Sequence, residues 1–186
     1  MGAGGSSREE QRRFDELFQG HHQAIHRYCL RRLGIADAED AAAEVFAVAW
    51  RRLAQVPEGE SGRAWLFGVA HKVVGNRYRS RRRQVKLVHR LEAIGTTGQA
   101  TDAFEPPPSR QLRLLHRALD ELGATDRELL RLAAWDRLSR SEIAYVLGIK
   151  ENAVDQRVHR ARTRLKERFD RLDAAVTVIE PEEAST

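Results

Sequence analysis

The chain has 186 residues, 41% hydrophobic and 32% charged, which suits one ordinary domain or two small domains with small cores. Its net charge of +5 favours a polyanionic partner, and its single cysteine, Cys29, excludes an internal disulfide framework. Because no apolar run approaches the roughly 18–20 residues that cross a bilayer, and the N-terminus lacks the apolar segment of a secretory signal, we expect a cytoplasmic protein with no membrane partner.

The first half of the chain predicts a helical domain over residues 12–83. Residues 1–11 begin with a glycine- and serine-rich stretch and are expected to be disordered. Beyond them, apolar residues recur at the spacing of an α-helix. The pattern predicts helices over about 14–33, 38–53 and 63–83, with a loop over 54–62 that holds Pro57, Gly59 and Gly62.

The second half predicts a linker followed by a second helical domain. The linker ends in three consecutive prolines. Ser109 is the expected N-cap of a helix that ends at Gly123, and Thr125 is expected to cap the next helix in a capping box with Glu128. The predicted boundaries are 84–108 for the linker, 109–170 for the second domain and 171–186 for an acidic tail. No sustained alternation of period two is present, so the predicted fold class is all-α, with two small helical domains joined by a flexible linker.

Residues 139–168 carry the most specific local pattern, that of a helix-turn-helix. Ala144, Gly148 and Val154 provide a small residue where two helices cross, a glycine in the turn and an apolar residue that anchors the second helix. The exposed face of that helix carries side chains suited to base edges and phosphates: Asn152, Gln156, Arg157, His159 and Arg160. The alternative is a three-helix bundle whose basic helix is only solvated.

The end of the third helix is strongly basic. Five arginines lie within seven residues, more than a helix C-terminus requires, which favours phosphate contact: Arg77, Arg79, Arg81, Arg82 and Arg83. Trp65, Phe67 and Tyr78 share this helix, and a mixture of aromatic and cationic side chains is typical of surfaces that stack on unpaired bases. For Trp65 alone, burial in the core is an equal alternative.

Two further clusters of side chains have compositions that could bind a partner or a metal ion. The acidic cluster at the start of the second helix consists of Asp37, Glu39, Asp40 and Glu44. It either complements the helix dipole or forms a docking face for a basic protein, and composition does not decide between these. His22, His26 and Cys29 share one helical face, but no fourth ligand is near, so packing is preferred to a metal site. No phosphate loop, nucleophile elbow or paired-acid motif is present, so we expect neither an enzyme nor a cofactor.

Four segments, taken in order, resemble the extracytoplasmic-function sigma factors of bacterial RNA polymerase. FDELFQGHHQAIHRYCLRRLG is similar to the family's first helix, and DAEDAAAEVFAVAWRRL to the helix that binds the polymerase clamp. GRAWLFGVAHKVVGNRYRSRRR is similar to the helix that melts and reads the −10 promoter element. ALDELGATDRELLRLAAWDRLSRSEIAYVLGIKENAVDQRVHRAR resembles the domain that reads the −35 element. The resemblance covers about residues 12–83 and 109–170.

The resemblance implies a role for each cluster. The clamp of the β′ subunit would be bound by Asp37, Glu39, Asp40, Glu44, Phe46 and Trp50. The melted −10 element would be contacted by Trp65, His71, Lys72, Asn76, Arg77 and Arg79, and the loop over 54–62 would capture a flipped base. The −35 element would be read by Asn152, Asp155, Gln156, Arg157, His159 and Arg160. The linker, with Asp102 and Glu105 in its acidic end, would thread toward the polymerase channels.

Two segments and one single residue depart from the family pattern. Alanines at 41–43 stand where the family often has Leu-Val-Gln, which predicts lower affinity for core polymerase. The sequence Ala-His-Lys at 70–72 replaces Ala-Arg-Asn, which predicts a changed −10 preference. Asp155 stands where relatives commonly have a basic or small residue. Because a carboxylate accepts from a cytosine amino group, Asp155 predicts an altered −35 preference at the base it faces.

The predicted function is therefore that of a non-catalytic factor that directs core polymerase to promoters, helps to open them and is held inactive by an anti-sigma factor. One alternative is a dimeric helix-turn-helix regulator of duplex DNA, in which residues 10–83 would sense a signal or dimerise. Such a regulator would need neither the DAEDAAAEVF segment nor the basic, aromatic third helix. The other is a sigma-like interaction module that no longer initiates transcription.

Overall fold

The structure is a computed structural model that describes the backbone of residues 3–91 and 109–179 and the side chains of 7–59, 61–84 and 109–175. Within the described backbone the chain forms seven α-helices, one short 3-10 helix and no β-strand. The chain divides into two compact units between Ala103 and Phe104. The predicted all-α class with two small helical units is thereby confirmed.

The first unit contains three helices, which are α1 (Ala3–Leu33), α2 (Ile35–Arg51) and α3 (Glu60–Leu91). A 3-10 helix, Leu53–Gln55, lies in the connection between α2 and α3. Gly34 separates α1 from α2 with φ 78° and ψ 176°, a conformation that a residue with a Cβ rarely adopts, so the two helices follow each other without a loop. The largest fully buried side chains of this unit are Ile25, Tyr28, Val45, Leu66 and Phe67.

The second unit contains four helices, which are α4 (Arg110–Asp120), α5 (Ala124–Ala134), α6 (Arg140–Leu147) and α7 (Glu151–Ile179). α7 packs against each of the other three. Its first half buries Val154 and Ala161 in the core, where they join leucines from α4 and α5. Further along α7, the ion pair Arg164–Asp126 joins it to α5 and Arg171–Glu121 joins it to the C-cap of α4, both with nitrogen–oxygen distances of 2.5 Å.

Several predicted bounds were wrong because the helices run further than their stop signals indicated. α1 begins at Ala3 and not after residue 11, since propagating a helix adds one backbone hydrogen bond per residue and the Glu9–Arg12 pair supports its exposed side. α3 continues to Leu91 and α7 to Ile179, because the segments 84–91 and 171–179 contain no glycine or proline that would stop a helix. Residues 84–91 and 171–179 are therefore helical, whereas Asp102, Glu105 and the end of the predicted tail lie outside the described residues.

The capping predictions had mixed outcomes. The Ser109 side chain accepts from the amide of Leu112, as expected of the N-cap of α4. The capping box predicted at Thr125 was wrong, because α5 begins at Ala124 and its N-cap is Gly123, two residues before Thr125. The amide of Arg127 donates to the Gly123 carbonyl at 3.0 Å, which closes the first helical turn without a side-chain cap.

Candidate nucleic-acid and protein interfaces

The helix-turn-helix predicted from the alanine, glycine and valine spacing is confirmed. Ala144 on α6 and Val154 on α7 are both buried at the crossing of the two helices. Gly148 adopts the left-handed conformation with φ 62° and ψ 36°, and the amide of Ile149 donates back to the Ala144 carbonyl at 3.0 Å. The turn therefore ends α6 and starts α7 within three residues, which fixes the angle at which α7 leaves the core.

The start of α6 is held by a capping box that our sequence analysis did not identify. The Ser139 hydroxyl accepts from the amide of Glu142 at 3.3 Å, and the Glu142 carboxylate accepts from the amide of Ser139 at 2.7 Å. The signal was present as serine followed three residues later by glutamate. The box fixes the backbone on either side of Arg140, the first residue of α6.

All six residues predicted to read the −35 element lie exposed on the first three turns of α7. Asp155 differs from the others because both of its carboxylate oxygens are engaged by one arginine. Arg140 donates from Nε to Oδ1 at 3.1 Å, and its Nη2 lies 2.7 Å from Oδ2. Sequence reasoning missed Arg140, which stands 15 positions earlier on the other helix of the motif.

The residues predicted to contact the −10 element lie along α3 in two different environments. Lys72, Asn76 and Arg79 are exposed, whereas Trp65 and His71 are half-buried. The Nδ1 atom of His71 lies 3.3 Å from the Tyr28 hydroxyl, so this edge of the imidazole faces the core of the unit. Half-burial of Trp65 leaves both its predicted alternatives open.

α2 and α3 bring together residues that the sequence predicts to bind different partners. Arg77, predicted to contact DNA, has its Nη2 atom 3.2 Å from the Glu44 carboxylate and its Nη1 atom 3.9 Å from that of Asp37. Arg81 also pairs with Asp37. We call these four side chains the α2–α3 ion-pair network. The other two acidic residues of the cluster, at 39 and 40, are exposed and make no ion pair with any described residue.

An aromatic cluster lies where the first part of α1 packs against the end of α2. Phe14 stacks edge-on against Trp50 with ring centroids 5.0 Å apart, and Phe18 does the same with Phe46 at 4.8 Å. Phe46 is buried, while 46% of Trp50 is exposed, so Phe46 supports this surface from beneath and Trp50 presents it. The sequence signal was an aromatic or histidine residue at every fourth position of α1, which continues through His22.

The histidine face of α1 does not present a metal site in the described residues. The rings of His22 and His26 stack at 6.2 Å, and Cys29 is fully buried. Across those parts of the chain no group of three histidine, cysteine, aspartate or glutamate side chains is placed to hold a metal ion. The same residues include no helix long and apolar enough to cross a membrane.

The connection between α2 and α3 is shorter than predicted and packs against the start of α3. It occupies residues 52–59, since α3 begins at Glu60. A Cβ on Gly62 would lie 2.8 Å from the Pro57 carbonyl oxygen, so only glycine allows this approach. Arg13 of α1 donates to the Val56 carbonyl and holds the connection from the other side.

Two parts of this chain match the models of known protein families. Sigma-70 region 2 matches residues 17–84, and Sigma-70 region 4 matches residues 112–165. The chain is 35% identical over 173 residues to RNA polymerase sigma factor CnrH of Cupriavidus metallidurans, covering 86% of this chain and 88% of CnrH. It is 32% identical over 147 residues to ECF RNA polymerase sigma factor SigL of Mycobacterium tuberculosis, covering 78% of this chain and 82% of SigL.

Two solved structures share the fold. The sigma factor RpoE in complex with the anti-sigma factor NepR from Bartonella quintana has a TM-score of 0.62 at 23% identity, covering 84% of this chain and 96% of RpoE. CnrH in complex with the cytosolic domain of CnrY has a TM-score of 0.59 at 28% identity, covering 86% of this chain and 89% of CnrH.

Proposed function

Because the chain belongs to the extracytoplasmic-function sigma factors of RNA polymerase, we propose that it directs the core enzyme to a set of promoters and helps to open them. The observation that carries this function is the presence of both sigma-70 regions in one chain, each on its own helical unit. A dimeric helix-turn-helix regulator would use the first unit only to sense a signal or to dimerise, which does not require sigma-70 region 2, so that alternative is not favoured. Sigma factors are initiation factors without catalysis of their own, and no catalytic role is proposed here.

The second unit is proposed to anchor the factor on duplex −35 DNA. In a helix-turn-helix the second helix enters the major groove with its N-terminal residues toward the base edges. On α7 these are the six exposed residues from Asn152 to Arg160, whose side chains supply donors and acceptors for bases and phosphates. The capping box of α6 and the left-handed turn at Gly148 support this role, because they hold α7 rigidly relative to the rest of the unit.

The first unit is proposed to bind the polymerase clamp and the melted −10 element. Glu39 and Asp40 carry charges that no described residue neutralises, and they lie on the same helix as the exposed Trp50, which suits a basic protein surface. Lys72 and Arg79 on α3 are exposed and suit the phosphates of a single strand. The connection at 52–59 is proposed to receive a flipped base, whose capture would offset the few kcal/mol of unstacking.

The proposed partners are core polymerase, promoter DNA and an anti-sigma factor. Solved relatives were obtained as complexes with NepR and with the cytosolic domain of CnrY, which supports regulation of this chain by a protein of the same class. Because the factor acts with polymerase, we place its action in the cytoplasm.

Run-off transcription with purified core polymerase tests the proposal. We expect transcripts from a subset of a genomic promoter library that core polymerase alone does not produce. Asp40→Lys should weaken binding to core polymerase in the absence of DNA. Glu167→Lys, an equivalent charge reversal at an exposed position of α7, should not. Binding to polymerase without any transcript would instead identify a sigma-like module that no longer initiates, and no binding at all would indicate a regulator of duplex DNA.

A further inference from the structure

The ion pair between Arg140 and Asp155 joins the two helices of the helix-turn-helix on its DNA-facing side. The side chains are 54% and 62% exposed, so the pair contributes little to folding stability. Its geometry is nevertheless that of a fork, with Nε 3.1 Å from one carboxylate oxygen and Nη2 2.7 Å from the other. A pair with this geometry and little stabilising value suits a role in orienting the guanidinium.

Asp155 occupies only one edge of the arginine. A guanidinium has five N–H donors, and the contacts to Asp155 use Nε–H and one hydrogen of Nη2. The two hydrogens of Nη1 and the second hydrogen of Nη2 remain, and no other described residue accepts from them. These remaining donors point away from Asp155 as a second fork with a fixed direction.

The charge of the pair distinguishes between two acceptors on DNA. Attraction to a phosphate depends on net positive charge and counterion release, and Arg140 with Asp155 has a net charge near zero. A guanine edge instead offers two neutral acceptors, O6 and N7, and requires donors in a set direction. An arginine normally loses side-chain entropy when it binds such an edge, and a carboxylate that holds it in advance reduces that cost. The pair therefore suits guanine better than phosphate.

We propose that Arg140 reads a guanine of the −35 element through its Nη1/Nη2 edge and that Asp155 is the residue that positions it. This inference rests on the proposed function of the second unit. In the sequence-based prediction Asp155 itself contacts a cytosine, whereas here Arg140 contacts a guanine and Asp155 only orients Arg140. The first helix of the motif, α6, then contributes a specificity-determining side chain to the interface. Contact of Asp155 with cytosine and contact of Arg140 with guanine both favour a G·C pair at one position. Substituting Arg140 and Asp155 separately distinguishes between them.

The test uses the full chain with core polymerase and a promoter library randomised across the −35 element. The variants are Arg140→Ala, Arg140→Lys, Asp155→Ala and the double alanine variant. Arg171→Ala is the matched control, since it also breaks an exposed arginine–carboxylate pair, 20 positions into α7 and away from its reading end. Thermal unfolding of each variant confirms that the fold is retained.

We expect Arg140→Ala to reduce the preference for G·C at a single position by about 5- to 150-fold, the value of one bidentate contact. Arg140→Lys should lose it as well, because lysine keeps the charge but not the fork. Asp155→Ala should reduce it at the same position, and the double variant should lose no more than Arg140→Ala. Arg171→Ala should select the same sequences as the unmodified chain.

Three outcomes would overturn the inference. If Arg140→Ala weakens all promoters equally and lowers the salt dependence of binding, Arg140 contacts a phosphate. If Arg140→Ala keeps the preference that Asp155→Ala loses, Asp155 reads cytosine directly. If neither substitution changes selection, the pair has no role in reading. Failure of the unmodified chain to select any −35 sequence would instead contradict the proposed function.

Discussion

Arg77 offers the sharpest test of whether the basic end of α3 serves folding or DNA binding. Its two ion pairs, to Glu44 at 3.2 Å and to Asp37 at 3.9 Å, join side chains that are between 26% and 48% exposed. Measured pairs with this degree of exposure contribute about 0.2–1 kcal/mol each, because solvent screens them and two long side chains lose entropy. Arg77→Ala should therefore lower the free energy of unfolding of the first unit by at most about 2 kcal/mol.

The effect of Arg77→Ala on DNA should be distinct from this small loss. If Arg77 contacts a phosphate of the melted −10 strand, its removal lowers the slope of log affinity against log salt by about 0.7. The assay is binding of purified, preassembled holoenzyme to a fluorescent single-stranded −10 oligonucleotide over a range of potassium chloride concentrations, so that a change in affinity for core polymerase does not alter the result. Hydrogen exchange of the α2 amides in the free chain measures the change in stability.

Glu44→Gln is the matched control, since it removes the stronger of the two pairs and leaves the arginine in place. Glu44→Gln should lower the free energy of unfolding by no more than Arg77→Ala does, and it should keep the salt slope of the unmodified chain. Its affinity for the strand should equal or exceed that of the unmodified chain, because less of the charge of Arg77 is then neutralised. Two results would show that Arg77 acts through the α2–α3 ion-pair network and not on DNA. One is an unchanged salt slope in Arg77→Ala, and the other is a loss of strand affinity in Glu44→Gln that equals the loss in Arg77→Ala.

Three further predictions follow from the backbone. Gly148→Ala should destabilise the second unit by about 1–2 kcal/mol, because Gly148 has a positive φ, whereas Gly20→Ala within the helix α1 should stabilise the first unit by about 0.5–1 kcal/mol. Neither added Cβ would meet an atom within 4 Å, so the difference comes from backbone conformation alone. Hydrogen exchange measures both changes in stability, and changes of the same sign would refute this cause. Gly62→Ala should displace the connection at 52–59 and thereby reduce promoter opening, which permanganate reactivity measures, while binding to −35 duplex DNA stays intact. Unaltered promoter opening would exclude this connection from base capture. Ser139→Ala should raise hydrogen exchange of the α6 amides by removing about 1 kcal/mol of capping energy, and unchanged exchange would mean that the cap is not needed.

Features that depend on near neighbours in the sequence were predictable. The helix-turn-helix follows from three residues within eleven positions, and the Ser109 cap from a serine before a run of helical period. Helix ends were less predictable, because the segments 84–91 and 171–179, over which α3 and α7 continue, contain no glycine or proline that marks where a helix stops. Thr125 was a suitable cap by type, but the turn that closes on Gly123 starts α5 before it.

The sequence by itself determined the fold class, the DNA-reading motif and the family, because helical period, turn glycines and ordered motifs are local properties of the chain. Only the tertiary structure decided which faces meet. Arg77 lies 33 positions from Glu44, and Arg140 lies 15 positions from Asp155, yet each pair is in contact. Helical periodicity places a side chain on a face of its own helix, whereas the packing of a second helix determines the group opposite it. For that reason Asp155, which the sequence presented as a lone reader of bases, is in the structure the partner of an arginine on α6.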